Sequence, residues 1–216
     1  MKIVVPIMPK SLAEIAELDT IQYAAADLIE WRADFMPMAD LEQAARDVKA
    51  QFSKQEIIFT YRTEDKAETI ISAEDYATLV QQFSTVFTYI DVEILKFSAI
   101  TLPDNALVSY HDFTQIPLNL PDILSEMAAS GAKIVKFAGM PQNQSDVLRL
   151  MTETLRFSEA HPNLTLVTMA MGELGKMTRI ASDSFGSSWT FASMGATSAP
   201  GQLSLEDVVK IREIFQ

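Results

Sequence analysis

Cysteine is missing altogether from the 216 residues. That excludes a disulfide framework, a thiolate zinc site and a cysteine nucleophile. Histidine is nearly as scarce, with only His111 and His161, which leaves little room for a histidine-rich metal centre. Basic residues number 17 against 29 acidic ones, a net charge of −12. Such a balance argues against nucleic acid and anionic membrane surfaces as partners, because the neutralising basic patch is missing. No apolar run has the length of a bilayer span. The opening residues lack the basic, apolar, small-residue order of a signal peptide, so a cytoplasmic location is expected. Glycine is also sparse, and no Gly-x-Gly-x-x-Gly turn occurs, so the dinucleotide fingerprint is absent. A small anionic substrate stays open, provided a few arginines are gathered in one pocket.

What is present is a regular alternation. Hydrophobic residues make up 48% and charged residues 21%, a balance that suits one soluble core, and a single domain over 1–216 is the simplest partition. Nearly continuous apolar runs predict strands at 2–8, 27–31, 56–61, 86–92, 106–110, 133–137, 164–169 and 188–192. Amphipathic patterns predict helices at 11–18, 39–52, 73–83, 120–130, 144–160 and 204–215. Weaker helical signals cover 96–100 and 175–181. Ser11 with Glu14, Ser72 with Asp75 and Ser204 with Asp207 spell capping boxes at three helix starts. Strands alternating with helices imply a parallel sheet, either a closed (β/α)8 TIM barrel or an open doubly wound sheet. The number of strands and the missing glycine turn favour the barrel.

In such barrels the chemistry sits where strands end at the C-terminal face. Those positions hold Glu30, Arg32 and Asp34, then Arg62, then Asp91 and Glu93, then His111 and Asp112. Lys136 lies on the sixth strand, Thr168 and Met171 end the seventh, and Arg179, Ser198 and Gln202 follow in later loops. Lys136 stands inside Ile134-Val135-Lys136-Phe137-Ala138, a run that otherwise reads as buried. Burial disfavours its charged form, and a neutral amine is the nucleophile for a Schiff base with a ketone. The other reading is a snorkelling lysine with its head in water. His111 is either the proton carrier beside that amine or a hydrogen-bonded structural residue. Arg32 and Arg62 either grip a carboxylate or join an ion-pair network with Glu30 and Asp34. His161, before Pro162, reads as solvated.

Six segments taken together resemble the type I dehydroquinases, the Schiff-base dehydratases of the shikimate pathway. They are Ile29-Glu30-Trp31-Arg32-Ala33-Asp34, Phe59-Thr60-Tyr61-Arg62-Thr63, Ser109-Tyr110-His111-Asp112-Phe113, Val135-Lys136-Phe137-Ala138-Gly139-Met140-Pro141, the run from Met171 to Arg179, and Ser198-Ala199-Pro200-Gly201-Gln202. They stand in order along almost the whole chain, each at a predicted strand end. The resemblance implies a TIM barrel acting on 3-dehydroquinate, without metal or organic cofactor, as a homodimer. It implies Lys136 as the Schiff-base lysine, His111 as the proton shuttle and Arg179 as the carboxylate clamp. It places Glu30, Arg32 and Arg62 around the ring hydroxyls, Ser198 and Gln202 on a closing loop, and Phe113 and Met171 as apolar walls.

Two places depart from the family pattern. A Glu-Gly-Gly that usually follows the third strand is replaced by Glu64-Asp65-Lys66-Ala67-Glu68. Glu64, Asp65 and Glu68 are the alternatives for orienting the histidine. Gly139 replaces a bulkier apolar residue, a change expected to matter little. Three other functions compete: a Schiff-base aldolase, a degenerate carboxylate binder and an interaction module. An aldolase handling phosphorylated substrates predicts a glycine-rich phosphate nest after the seventh and eighth strands. The binder draws on the altered 62–68 loop, and the intact Lys136, His111 and Arg179 weigh against it.

Overall fold

The structure, a computed structural model, describes residues 1–63 and 71–215. Strands form where β-branched and aromatic runs leave no polar face for water. They are β1 (Lys2–Ile7), β2 (Leu28–Arg32), β3 (Glu56–Thr60), β4 (Tyr89–Glu93), β5 (Ala106–Asp112), β6 (Ile134–Gly139), β7 (Thr165–Ala170) and β8 (Trp189–Ser193). Each is parallel to its neighbours and pairs in chain order from β1 to β7, while β8 pairs back onto β1. The Ser188 N–H donates to the Leu166 carbonyl at 2.8 Å, which brings β8 against β7 and closes the circuit. Here a side chain stands in for part of the ladder. Ser187 Oγ accepts from the Thr168 N–H at 2.9 Å and donates to the Thr168 carbonyl at 3.0 Å. The architecture is the expected TIM barrel, with a short strand β9 (Leu203–Ser204) laid on β8.

Helices α1 (Leu12–Ala16), α2 (Leu41–Gln51), α3 (Ala73–Ser84), α4 (Leu120–Ala129), α5 (Gln144–Ala160), α6 (Lys176–Ile180) and α7 (Leu205–Phe215) cover the outside. The three expected caps form: Ser11, Ser72 and Ser204 hydroxyls accept the Glu14, Asp75 and Asp207 N–H groups at 3.2, 3.0 and 3.1 Å. Outward strand residues meet these helices in two cores. In one, Trp31 packs edge-on to Phe59 with ring centroids 5.6 Å apart, and Phe59 stacks on Phe83 at 4.5 Å. The other joins Val135, Phe137 and Leu166 to Leu124, Leu150 and Phe157.

Two expectations change. The fourth strand starts at Tyr89 rather than 86, because the Val86 and Phe87 N–H groups bond back to the Phe83 carbonyl and extend the end of α3. No helix forms at 96–100. That short connection turns through bonds from Lys96 and Phe97 to the Glu93 carbonyl, and Phe97 stacks on Tyr76 at 4.0 Å. The 175–181 signal is a 3-10 turn (Glu173–Gly175) running into α6.

Ser187→Ala leaves two buried backbone groups of the β7–β8 seam without their hydroxyl partner and should cost about 1–3 kcal/mol. Ser72→Ala removes only an exposed cap, at about 1 kcal/mol. Urea unfolding midpoints of the two variants check the order.

Candidate active site

Strand alternation sorts the barrel interior into tiers. The lowest tier is apolar, with Val4, Leu28, Ile58, Leu107, Ile134, Val167 and Trp189 packed together. Two residues further along each strand stand Glu30, Thr60, Asp91, Ser109, Lys136, Met169 and Phe191. Two further again stand Arg32, Arg62, Glu93, His111, Ala138 and Met171. Most of the polar residues expected at strand ends stand on this inward parity; Thr168 and Asp112 do not. Lys133, three residues before Lys136, is exposed as alternation requires.

Lys136 is buried, yet it is not the lone amine in apolar surroundings that its sequence context suggests. Its Nζ lies 3.1 Å from Glu30 Oε1 and 3.2 Å from Asp91 Oδ2, and 4.5 Å above the Phe191 ring. Thr60 Oγ1 donates to the same Glu30 oxygen at 3.1 Å. Asp91 is fixed more firmly. Arg62 reaches its Oδ2 at 2.9 Å, and Ser109 Oγ donates to its Oδ1 at 2.6 Å. Burial alone would raise the Asp91 carboxyl, but Arg62 and Lys136 hold it well below the usual carboxylate range. Arg62 also binds Glu93 at 2.9 Å, and Glu93 takes the Thr63 N–H at 3.1 Å. The Arg62 guanidinium is thus engaged by carboxylates of the chain itself, while Arg32 grips Asp34 through two bonds of 2.8 and 3.0 Å.

His111 stands one tier above Lys136 on the neighbouring strand, where Ser109 pairs with Lys136 and His111 with Ala138. Phe113 stacks beside its ring. Burial first, then the charges of Arg62 and Lys136, hold the imidazole well below its ordinary value. It is a neutral base at neutral pH.

Arg179 projects from α6 and is 1% exposed. Among the described residues no carboxylate meets it. Its terminal nitrogens reach Met169 Sδ at 3.5 Å, the Phe191 carbonyl at 3.5 Å and the Pro200 carbonyl at 3.3 Å. Burial pushes the guanidinium down to about 10, so it is still charged at neutral pH. A buried cation without a counter-charge is a ready site for an anion.

One pocket is lined by Glu30, Arg32, Arg62, His111, Phe113, Lys136, Met171, Arg179, Ser198 and Gln202 among others. The Ser198–Gln202 loop is knit to itself, Gln202 Nε2 donating to Ser198 Oγ at 2.9 Å and the Ser198 N–H to Gln202 Oε1 at 2.8 Å. Gly201 has φ +78, and a Cβ there would meet the Gly172 carbonyl at 2.2 Å. Only glycine lets the loop seat against the end of β7.

The profile of the type I 3-dehydroquinase family matches residues 3–216. The chain belongs to that family. It is 42% identical over 222 aligned positions to the 3-dehydroquinate dehydratase of Streptococcus mutans, covering 100% of this chain and 99% of that protein. The structure of 3-dehydroquinate dehydratase from Geobacillus kaustophilus superposes with a TM-score of 0.88 at 28% identity, over 100% of this chain and 91% of that one. The type I enzyme from Clostridium difficile, solved with covalently modified comenic acid, gives 0.86 at 29% identity, over 99% and 91% of the two chains.

Around the dehydroquinase pocket the sequence signal was incomplete. In the sequence Asp91 and Glu93 read as strand-end acids, not as site residues. The spacing Tyr89-Ile90-Asp91-Val92-Glu93, acids on one strand parity, was the signal available. Ser109 stood only within the Ser109–Phe113 segment of the resemblance, and Phe191 carried no signal. Thr168 does not face the dehydroquinase pocket, because its hydroxyl points outward to Thr154 of α5 at 2.8 Å. Asp112 caps the turn after β5 by accepting the Thr114 and Gln115 N–H groups at 2.9 and 3.1 Å. The alternatives Glu64, Asp65 and Glu68 lie outside the described residues. A Cβ at Gly139 would meet Ile116 Cδ1 at 2.5 Å, the movable end of a side chain.

The depressed His111 gives a stability signature. Below about pH 6.5 the unfolded chain takes up a proton on this ring that the folded one refuses, so folding weakens as pH falls. Asp91 does not contribute in this window, because its carboxyl is ionised in both states until about pH 5. Between pH 7.5 and 5.5 the wild type should lose more urea stability than His111→Gln; equal losses would show that the ring titrates normally.

Proposed function

We propose that the chain dehydrates 3-dehydroquinate to 3-dehydroshikimate through a Schiff base on Lys136. The observation that carries this reading is one buried primary amine in a pocket that also brings His111 and Arg179, a cation that no carboxylate meets among the described residues. Lys136 Nζ attacks the C3 ketone, and the carbinolamine so formed expels water to leave an iminium. The iminium withdraws electrons from C2, whose hydrogen His111 removes as general base. The enamine then expels the C1 hydroxyl, which leaves as water with the proton from His111, and water releases the product from Lys136. Arg179 holds the substrate carboxylate, which supplies the charge that this guanidinium lacks. Glu30 and Arg32 face the ring hydroxyls, as does Arg62 within its own carboxylate network. Ser198 and Gln202 close the site and exclude water from the iminium. Phe113 and Met171 wall the ring. The reading also carries a homodimer, which light scattering after size exclusion tests directly, and a cytoplasmic location with neither nucleic acid nor membrane as partner.

Incubation with 3-dehydroquinate followed by borohydride should leave a reduced adduct on Lys136, and Lys136→Ala should lose both adduct and turnover. A folded wild type without adduct ends the Schiff-base assignment. Arg179→Met should raise KM by about 100-fold, the loss of a charge-assisted bond of ~3 kcal/mol. Its urea stability should be unchanged or higher, because an uncompensated buried charge is gone. A KM within threefold of wild type would remove Arg179 from the carboxylate site.

A further inference from the structure

We infer that Asp91 is the standing counter-ion of the Schiff base: it stays ionised throughout the cycle and holds the positive charge on the Lys136 nitrogen. The inference rests on the covalent role proposed for Lys136.

Two carboxylates touch Lys136 Nζ, and their settings differ. Glu30 is held by one neutral donor, the Thr60 hydroxyl. Asp91 has both oxygens committed, Oδ2 to Arg62 and Lys136 and Oδ1 to the Ser109 hydroxyl. Asp91 and Ser109 are backed by strands that pair directly, and Ser109 pairs in turn with Lys136. The carboxylate therefore cannot swing away from the nitrogen without breaking a bond to the neighbouring strand. Among the described residues Glu30 makes no ion pair with an arginine, which leaves it the one suited to meet a substrate hydroxyl.

The charge count around the nitrogen supports a fixed anion. Groups around Lys136 come from β2 (Glu30, Arg32), the segment after β3 (Arg62), β4 (Asp91, Glu93), β5 (His111) and α6 (Arg179). Among the described residues, the inward positions of β7 and β8 at this level are the uncharged Met169 and Phe191. An ammonium and a ketone give an iminium and a water, so one positive charge sits on Nζ before and after condensation. A carboxylate that never takes the proton matches both states, and no ion pair has to be rebuilt. Removal of the C2 proton turns the iminium into a neutral enamine and places the charge on His111. Asp91 also acts on that ring, favouring its charged form. One anion thus serves both resting places of the charge.

The test compares Asp91→Asn, Asp91→Glu and Ser109→Ala with the wild type, reading kcat, KM, pH profile and borohydride adduct. Asp91→Asn should lower kcat at neutral pH at least tenfold while KM changes less than threefold. The basic limb of kcat, where the iminium loses its proton, should move to lower pH by about one unit or more, because the charged form has lost its partner. Asp91→Glu keeps the charge and should keep the wild-type limb even at reduced turnover. Ser109→Ala leaves both ion pairs and should move the limb the same way by less, and it carries the test if Asp91→Asn does not fold. A wild-type limb in both Asp91→Asn and Ser109→Ala, with the wild-type adduct present, would overturn the counter-ion role alone. Absence of adduct in the wild type would overturn the Schiff-base reading and this one with it.

Discussion

A lysine ammonium enclosed by a barrel is tolerable only when carboxylates replace the water it has lost, and the arrangement of this interior follows from that requirement. Lys136 needs Glu30 and Asp91. Two acids so close to one cation need a second cation, and Arg62 supplies it from the next strand. Arg62 in turn takes Glu93, whose remaining lone pairs go to Thr63, while its backbone N–H bonds to Tyr76 Oη. Neighbouring strands from β2 to β6 are tied into one network of charges and hydroxyls, so the position of the buried amine is set by backbone register. Such a network is costly to assemble and costly to break, which is how a site keeps its geometry before substrate arrives.

The same alternation that buries valines outward carries the chemistry inward. Strands β2 to β5 give one tier to the apolar floor and the next two to polar groups, while β7 and β8 keep Met169, Met171 and Phe191 there. Arg179 is the exception to the pairing rule. It sits under Ser198–Gln202 with carbonyls and a sulfur for company, which is unfavourable in isolation and favourable once an anion is present.

Much of this was legible in the residues. Parallel strands buried on both faces announce themselves as apolar runs, and Ser72 with Asp75 marks a helix start wherever it occurs. Polar residues such as Lys136 and His111 stood out because they interrupt those runs. What could not be read was who partners whom. Whether Arg62 meets substrate or Asp91 depends on the register of β3 against β4, and sequence carries no record of it. The same holds for Thr168, whose parity sends it to α5, and for Gly139, whose missing side chain makes room for Ile116. The β4–β5 connection also misled, because the helical signal at 96–100 was outweighed by Phe97 stacking on Tyr76.

The contact between Arg179 and the Pro200 carbonyl has a thermodynamic corollary. One guanidinium contributes both to seating the loop and to the pocket beneath it. By linkage, whatever free energy an anion gains from a seated loop, the loop gains from a bound anion. Under the proposed function, anion occupancy and seating of the loop are then two readings of a single equilibrium.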